Sequence, residues 1–328
     1  MTAGGERTLE RAAEVPAYRG HSVKVLRTAR LSPSFVRVTF GGEDLAGFAD
    51  KGFDQRIKVI LPLPDGSITP LGDGDDWYQR WRALPDELRN PIRTYTARAV
   101  RPESRELDID FVLHGESGPA SRWATRVAPG DRVVVVGPNA AHPGPVGGRE
   151  WAPPAGVEHL LLAGDETAVP AIATIVESLS GSVRATALLE VPEAADALPL
   201  DVRPGVKVAW LPREGARHGD LLIPAVRETL SALTAPRGTA AGEPTGPAAP
   251  AGPGAASTLE DVDVDVDVDE EILWEVPEVH GRRRLYAWLA GEAGWSSCSA
   301  ATCVQEAGID RSSVAFMGYW RLGRSESA

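Results

Sequence analysis

Cysteine is nearly missing from this 328-residue chain; the two present, Cys298 and Cys303, lie close together near the C-terminus. That excludes a disulfide-stapled secreted scaffold, and a chain this long buries a substantial core without staples. Also missing is any stretch near the ~18 apolar residues that would span a bilayer. The opening MTAGGERTLERAAEVP carries acids and no apolar run, so it is not a signal peptide. Lysine is confined to Lys24, Lys51, Lys58 and Lys207, arginine supplying the rest of the positive charge; with abundant Ala, Gly and Pro, this reads as coding bias from a GC-rich genome. A basic surplus is lacking too. Net charge is −12, of which eight acids fall in EDVDVDVDVDEE at 260–271, leaving −4 for the remainder. A broad basic face for nucleic acid is thereby excluded. The expectation is a cytoplasmic protein with no nucleic-acid partner and no stable membrane insertion.

What is present divides in two, as the length suggests at roughly 150 residues per domain. Residues 1 to about 17 read as a polar, mobile tail. Six β-like runs follow, at 21–31, 34–40, 56–63, 94–100, 107–113 and 131–137, rich in β-branched residues and punctuated by Gly, Pro or Asp. With no strong helical stretch between them, they predict a closed antiparallel barrel; a small helix is expected at SRWATRV (121–127). Beyond a Pro/Gly segment at 142–156 the pattern changes. HLLLAG (159–164) is a continuous apolar run, as in a strand covered on both faces. A helical spacing follows at 165–179, then strands at 182–191 and 206–213, a helix at 219–233 and a strand and helix start at 285–292. Alternating strand and helix predicts a parallel sheet. The Pro/Ala/Gly and acidic segment at about 236–271 reads as a solvated insertion.

Chemistry-bearing residues cluster at a few points. In Arg93-Thr94-Tyr95-Thr96, strand alternation puts Arg93 and Tyr95 on one face and Thr96 on the other unless the strand bends. A guanidinium there neutralises a diphosphate, a tyrosine ring lies against a planar heterocycle, and the Thr96 hydroxyl donates to a ring nitrogen. A following strand ends at His114, and Gly118-Pro119-Ala120-Ser121 opens a helix whose free amides offer an anion site. The second half begins with Gly164-Asp165-Glu166-Thr167, a strand, tight turn and helix start.

In this order, RTYTAR (93–98), DFVLHGESGPASRWA (110–124), GDRVVVVGP (130–138), LLAGDETAVPAI (161–172), LYAWLAGEAG (285–294) and MGYWRLG (317–323) resemble the siderophore-interacting protein family. These are flavin-dependent ferric-siderophore reductases of ferredoxin-reductase-like architecture. The resemblance implies a six-stranded FAD-binding β-barrel at 18–150 and a Rossmann-like, NAD(P)H-binding α/β domain at 151–328. It implies that Arg93, Tyr95 and Thr96 hold the flavin, with His114, Gly118, Ala120 and Ser121 completing the FAD site. Asp165, Glu166 and Thr167 would face the nicotinamide or ribose, because two carboxylates at a helix start repel a pyrophosphate; helix capping is the other reading. Ala290, Gly291, Glu292 and Ala293 form the corresponding turn of a later strand. Arg213, if it points inward, would pair with a 2′-phosphate and favour NADPH over NADH; otherwise it is a surface arginine. Trp320, in Gly318-Tyr319-Trp320-Arg321, would stack near the flavin or else seal the domain core. The substrate, an anionic ferric-siderophore, calls for cations, for which Lys58, Arg122 and Arg321 are the candidates.

The implied activity is NAD(P)H-dependent reduction of Fe(III) to Fe(II) by a monomer that need not ligate iron itself. A general flavin reductase serving a partner protein and a non-catalytic flavin- or siderophore-binding module stand as alternatives. One departure weighs on nucleotide affinity: SSCSAATC at 296–303 replaces the arginine-rich helix that the family usually carries after AGEA.

Overall fold

A computed structural model describes residues 15–322 apart from 73, 75, 116–117, 182, 236–273 and 277–283. The Pro/Ala/Gly and acidic insertion and most of the N-terminal tail therefore lie outside the described residues. Residues 15–17, expected to be mobile, are tied down: the Pro16 carbonyl accepts from Asn139 Nδ2, and the Ala17 carbonyl from the Asn139 N–H.

The first half holds β1 (Tyr18–Arg30), β2 (Phe35–Gly41), β3 (Arg56–Ile60), α1 (Trp77–Arg82), β4 (Ile92–Thr96), β5 (Ala99–Arg101), β6 (Glu106–Val112), α2 (Pro119–Arg126) and β7 (Arg132–Pro138). Its strands form one antiparallel sheet in the order β4-β3-β7-β1-β2-β6-β5. Six strands were expected and seven are found, because the run at 94–100 breaks in two. The Ala97 N–H turns to the Gln55 carbonyl and the Arg98 N–H to the Asp108 carbonyl, 2.9 Å each. The two edges of the sheet are thus halves of one bent segment; they do not pair with each other, so the expected closed barrel is a curled, half-barrel sheet. Inside sit Val38, Phe40, Ile57, Val59, Leu107, Ile109, Phe111, Val133 and Val135. α1, which the sequence pattern did not signal, lays Trp77 and Trp81 over Ile60, Ile92 and Val136 on another face.

Strand β6 shows how alternation is used on both faces. Leu107, Ile109 and Phe111 fill the barrel, while Glu106, Asp108 and Asp110 meet arginines. Arg27 grips Glu106 with two bonds of 2.8 Å, Arg101 reaches both Glu106 and Asp108, and Arg37 clasps Asp110 at 2.7 and 2.8 Å. Hydrogen bonding from Arg27, then from Arg101, lowers the Glu106 pKa from the ordinary 4.5 to about 2. Burial alone would raise that of Asp108, but Arg101 and Thr39 turn the balance downward. A carboxylate depressed in the folded state stabilises it at neutral pH and loses that contribution as pH falls. The thermal stability of the barrel is therefore expected to fall as pH drops from 4.5 towards about 2, and Glu106→Gln to flatten that decline; an unchanged pH profile in the variant would refute the assignment.

The second half holds β8 (His159–Gly164), α3 (Val169–Ser178), β9 (Arg184–Val191), β10 (Val206–Pro212), α4 (Leu222–Thr234), β11 (Trp274–Glu275), β12 (Leu285–Glu292), α5 (Ala293–Ala301) and β13 (Val314–Trp320). The sheet order is β10-β9-β8-β12-β13-β11, parallel except for β11 at the edge. Apolar packing covers both faces: Ile172, Ile175, Tyr286 and Trp288 on one side, Leu222, Val226, Leu230 and Trp295 on the other. That accounts for the unbroken apolar run of β8.

A buried carboxylate joins the halves. Asp196, with no exposure, accepts from Ser32 Oγ at 2.6 Å and from the Ser34 N–H and Oγ at 2.8 Å each, while Phe35 enters the α/β core. Asp196→Ala strands these donors and is expected to cost about 2–4 kcal/mol. Urea unfolding measures it; a loss within error would mean the junction is held by packing alone.

Candidate functional site

Chain order reverses between β8 and β12: β9 and β10 lie to one side of β8, β12 and β13 to the other. Ligands of open α/β sheets bind beyond the carboxyl ends of strands at such a switch point. Here those ends are Gly164 and Glu292, and Gly164 pairs in register with Ala290.

Asp165, fully buried, organises this edge. Its Oδ1 accepts from the Thr167 N–H at 2.9 Å and the Thr167 hydroxyl at 2.5 Å. Its Oδ2 accepts from the Glu292 N–H at 2.6 Å, Trp320 Nε1 at 2.9 Å and Trp295 Nε1 at 3.2 Å. Gly291 allows this approach: at φ +147° it has the backbone glycine favours, and a Cβ would stand 2.5 Å from Asp165 Oδ2. Of the two readings of Asp165 and Thr167, these partners describe the capping one. Asp165 is turned inward and the half-buried Thr167 gives it a hydroxyl, because a buried carboxylate must collect donors.

Glu166 is likewise committed. Arg213 points inward, as one reading required, but it meets protein carboxylates instead of lying free for a 2′-phosphate. It grips Glu166 through two bonds of 2.7 and 2.8 Å and reaches Glu190 at 3.3 Å. Burial works against the guanidinium, yet Glu166 and Glu190 more than offset it and raise its pKa above the ordinary value. Glu190, fully buried, also accepts from the N–H groups of Gly219, Leu221 and Leu222 at the start of α4. At the α3 start Glu166 is paired with a cation, while Asp165 is solvated by neutral donors alone and still pushes the Glu166 pKa up. Asp165, Glu166 and His218 lie within 4.8 Å of one another. Their carboxylate oxygens are already occupied by these donors, so they form no ready ligand set.

His218 stacks edge-on against Trp320, 4.8 Å between centroids. Trp320 is therefore held from two sides by the α/β half. Tyr319 meets Trp288 edge-on at 6.4 Å. Glu292 caps α5, accepting from the N–H groups of Gly294 and Trp295. The departure at 296–303 packs inward: Ser296, Ser299, Ala300, Thr302 and Cys303 are buried, small residues that let α5 lie close on β12 and β13. Both cysteines are free; Cys298 is exposed, and burial pushes the Cys303 thiol to about 12.

On the barrel, Arg93 and Tyr95 lie opposite Val59 and Ile57 in register, and Tyr95 rests on Phe111 at 4.4 Å. Arg93 donates to the Ile92 carbonyl at 2.7 Å; Thr96 is buried. Among the described residues no side chain caps α2 at Gly118, so amides of its first turn, Ala120 among them, are available to another acceptor. The buried Ser121 hydroxyl donates to the Gly115 carbonyl at 2.5 Å and accepts from the His114 N–H at 3.2 Å, pinning the loop that carries the exposed His114 ring. Lys58 shares the opposite face with Thr94, 3.2 Å from its hydroxyl, while Arg122 lies on α2 and Arg321 just beyond β13. The structure thus distributes the three candidate cations over three elements.

Sequence reasoning missed Glu190, His218 and Trp295. Glu190 had left a signal, an acid inside the apolar run ALLEV, which can be buried only with donors around it. His218 and Trp295 left none, since their partners are distant in sequence.

A model described as the siderophore-interacting FAD-binding domain matches residues 24–142, and one described as the siderophore-interacting protein matches residues 157–323. The ferric vibriobactin reductase of Vibrio cholerae is 31% identical over 220 residues, 64% of this chain and 76% of that protein. The NADPH-dependent ferric-chelate reductase of Escherichia coli is 33% identical over 218 residues, 63% of this chain and 78% of that protein. The match to an uncharacterized Mycobacterium tuberculosis protein spans 66% of that protein's length, at 34% identity. Among solved structures, a siderophore utilization protein from T. fusca superposes with a TM-score of 0.67 and 29% identity, covering 97% of this chain and 99% of that one.

Proposed function

The chain belongs to the siderophore-interacting protein family, and on that premise we propose that it is an FAD-dependent oxidoreductase that uses NAD(P)H to reduce Fe(III) in an anionic ferric-siderophore. The observation that carries this reading is the pairing of two matched units in order. A barrel bearing Arg93, Tyr95 and Thr96 on β4 is followed by a parallel sheet with its switch point between β8 and β12.

The residues present fit FAD. The uncapped start of α2 has amides to give a phosphate, and the half-buried Tyr95 ring is backed by Phe111. Bound FAD supplies the conversion the reaction needs, taking a hydride from nicotinamide and releasing electrons singly to Fe(III). In this reading Arg93 neutralises the diphosphate, with Gly118, Ala120 and Ser121 contributing the α2 turn and His114 lying beside it. Tyr95 supports the ring system, and Thr96 donates to a ring nitrogen. Asp165 acts through others: it fixes Trp320, Trp295 and the Gly291–Glu292 turn, and Thr167 completes its shell. Ala290 sets the close approach of that turn to Gly164. Arg213 holds Glu166 and Glu190, which leaves neither NADH nor NADPH favoured by it. Lys58, Arg122 and Arg321 attract the anionic chelate. Fe(II), softer than Fe(III), leaves hard oxygen ligands once formed. A cytoplasmic monomer suits a reaction fed by NAD(P)H; among the described residues no helix is long and apolar enough to cross a membrane.

The purified protein is expected to be yellow and to oxidise NAD(P)H only when ferric-siderophore is supplied. Equal turnover with any ferric chelate or with a cytochrome would indicate a general reductase, and flavin that NAD(P)H never bleaches would indicate a binding module. Deleting 238–270, outside the described residues, is expected to leave flavin content intact; loss of flavin would make the insertion structural.

A further inference from the structure

A cavity of about 240 Å³ lies at the other end of the parallel sheet, where strands begin. Four neighbouring strand starts contribute to it: Arg184 at β9, His159 at β8, Arg284 just before β12 and Ser313 just before β13. β8 runs from this edge to the switch point over six residues, so the two sites stand roughly 17 Å apart.

The lining is built for a ligand. Ser313 is 1% exposed, yet its Oγ has no hydrogen-bond partner. A buried hydroxyl left unmatched costs about 1–3 kcal/mol; its Oγ has no open surface, so it meets an acceptor in the cavity by turning about its Cα–Cβ bond, which removes that cost. Arg184 and Arg284 are the cations of the lining, and neither forms an ion pair among the described residues. The Arg284 carbonyl accepts from the His159 N–H at 3.0 Å, which fixes the backbone on which its side chain stands. His159 is held by Thr186 Oγ1 at 3.0 Å, and burial, with Arg184 and Lys207 nearby, keeps its pKa low, so the ring adds no charge at neutral pH. Two acids share the lining. Asp310 has its Oδ1 taken by the Ser312 N–H and hydroxyl, and Glu158 is exposed at the rim.

We propose that this cavity binds a small oxyanion, a phosphate or carboxylate group held between Arg184 and Arg284 with Ser313 donating from the floor. Two guanidiniums offer forked donors suited to either group. The volume is below that of a drug-sized pocket and admits only a small molecule. The site is separate from the switch-point edge and does not depend on the redox reading.

The test is calorimetric titration of the full flavin-loaded chain with inorganic phosphate and, in a second arm, with succinate, at low ionic strength. At least one is expected to bind, and the better binder names the group. Arg184→Ala and Arg284→Ala are each expected to weaken it about tenfold. Glu158→Gln is expected to tighten it about twofold by removing a rim charge. Ser313→Ala separates the site from a mere packing defect: it is expected to weaken binding about threefold while leaving thermal stability equal or raised. Absence of binding by both probes, or affinity unchanged in the two arginine variants, overturns the proposal. So does Ser313→Ala that stabilises the fold without touching affinity.

Discussion

Replacing Arg93 with alanine is expected to give folded but colourless protein, with flavin affinity reduced about a hundredfold. The figure follows from losing two charge-assisted hydrogen bonds to a diphosphate, about 1.5 kcal/mol each. The fold should survive, because the barrel core is built from Ile57, Val59 and Phe111 and does not include the guanidinium. Arg93→Lys keeps the charge but not the fork and is expected to fall between. The ratio of flavin to protein absorbance, with circular dichroism as the control for folding, decides the matter. Full occupancy in Arg93→Ala would remove Arg93 from the site.

The second large effect is expected at Asp165. Its two oxygens collect two indole N–H groups, two backbone N–H groups and a hydroxyl. Asp165→Ala orphans all five in a buried place, and a loss of about 3–5 kcal/mol is expected, the individual costs not being additive. Asp165→Asn is the sharper variant. Its amide can still accept from Thr167 on one side but presents a donor or a single acceptor, not both, to Glu292, Trp295 and Trp320. A folded protein with normal flavin content and nicotinamide-driven bleaching slowed about tenfold or more is expected, since a displaced Trp320 misaligns the approach of the donor. Unaltered bleaching would leave Asp165 a purely structural acid.

Much of the fold was legible because its signals are local. The β-branched runs bounded by turn residues at 107–113 and 131–137, and the apolar run at 159–164, each read as strand from their own residues. The seventh strand was not legible, since the break at Ala97–Arg98 is decided by partners just before β3 and on β6 and not by any Gly or Pro in 94–100. α1 was hidden in a segment punctuated by Pro, Gly and Asp; its two tryptophans take their meaning only from the apolar patch they cover. At the site, alternation correctly placed Arg93 and Tyr95 on one face. For Asp165, Glu166 and Arg213 a ligand-facing reading stood beside capping and surface readings, because these partners come from residues 23 to 155 positions away, a separation that no motif spacing records. An acid beside a helix start looks open to solvent in sequence. Only the fold shows that indoles and a guanidinium have claimed it.

The central claim is that this chain turns two-electron input into one-electron output to iron. Anaerobic double-mixing stopped flow tests it most directly: the flavin-loaded protein is mixed first with NADH or NADPH, then with ferric-siderophore, while flavin absorbance is followed. The account predicts bleaching in the first mix and recovery of the oxidised spectrum in the second, with two Fe(II) trapped per flavin. Flavin that stays yellow in the first mix, or stays bleached in the second, would contradict it.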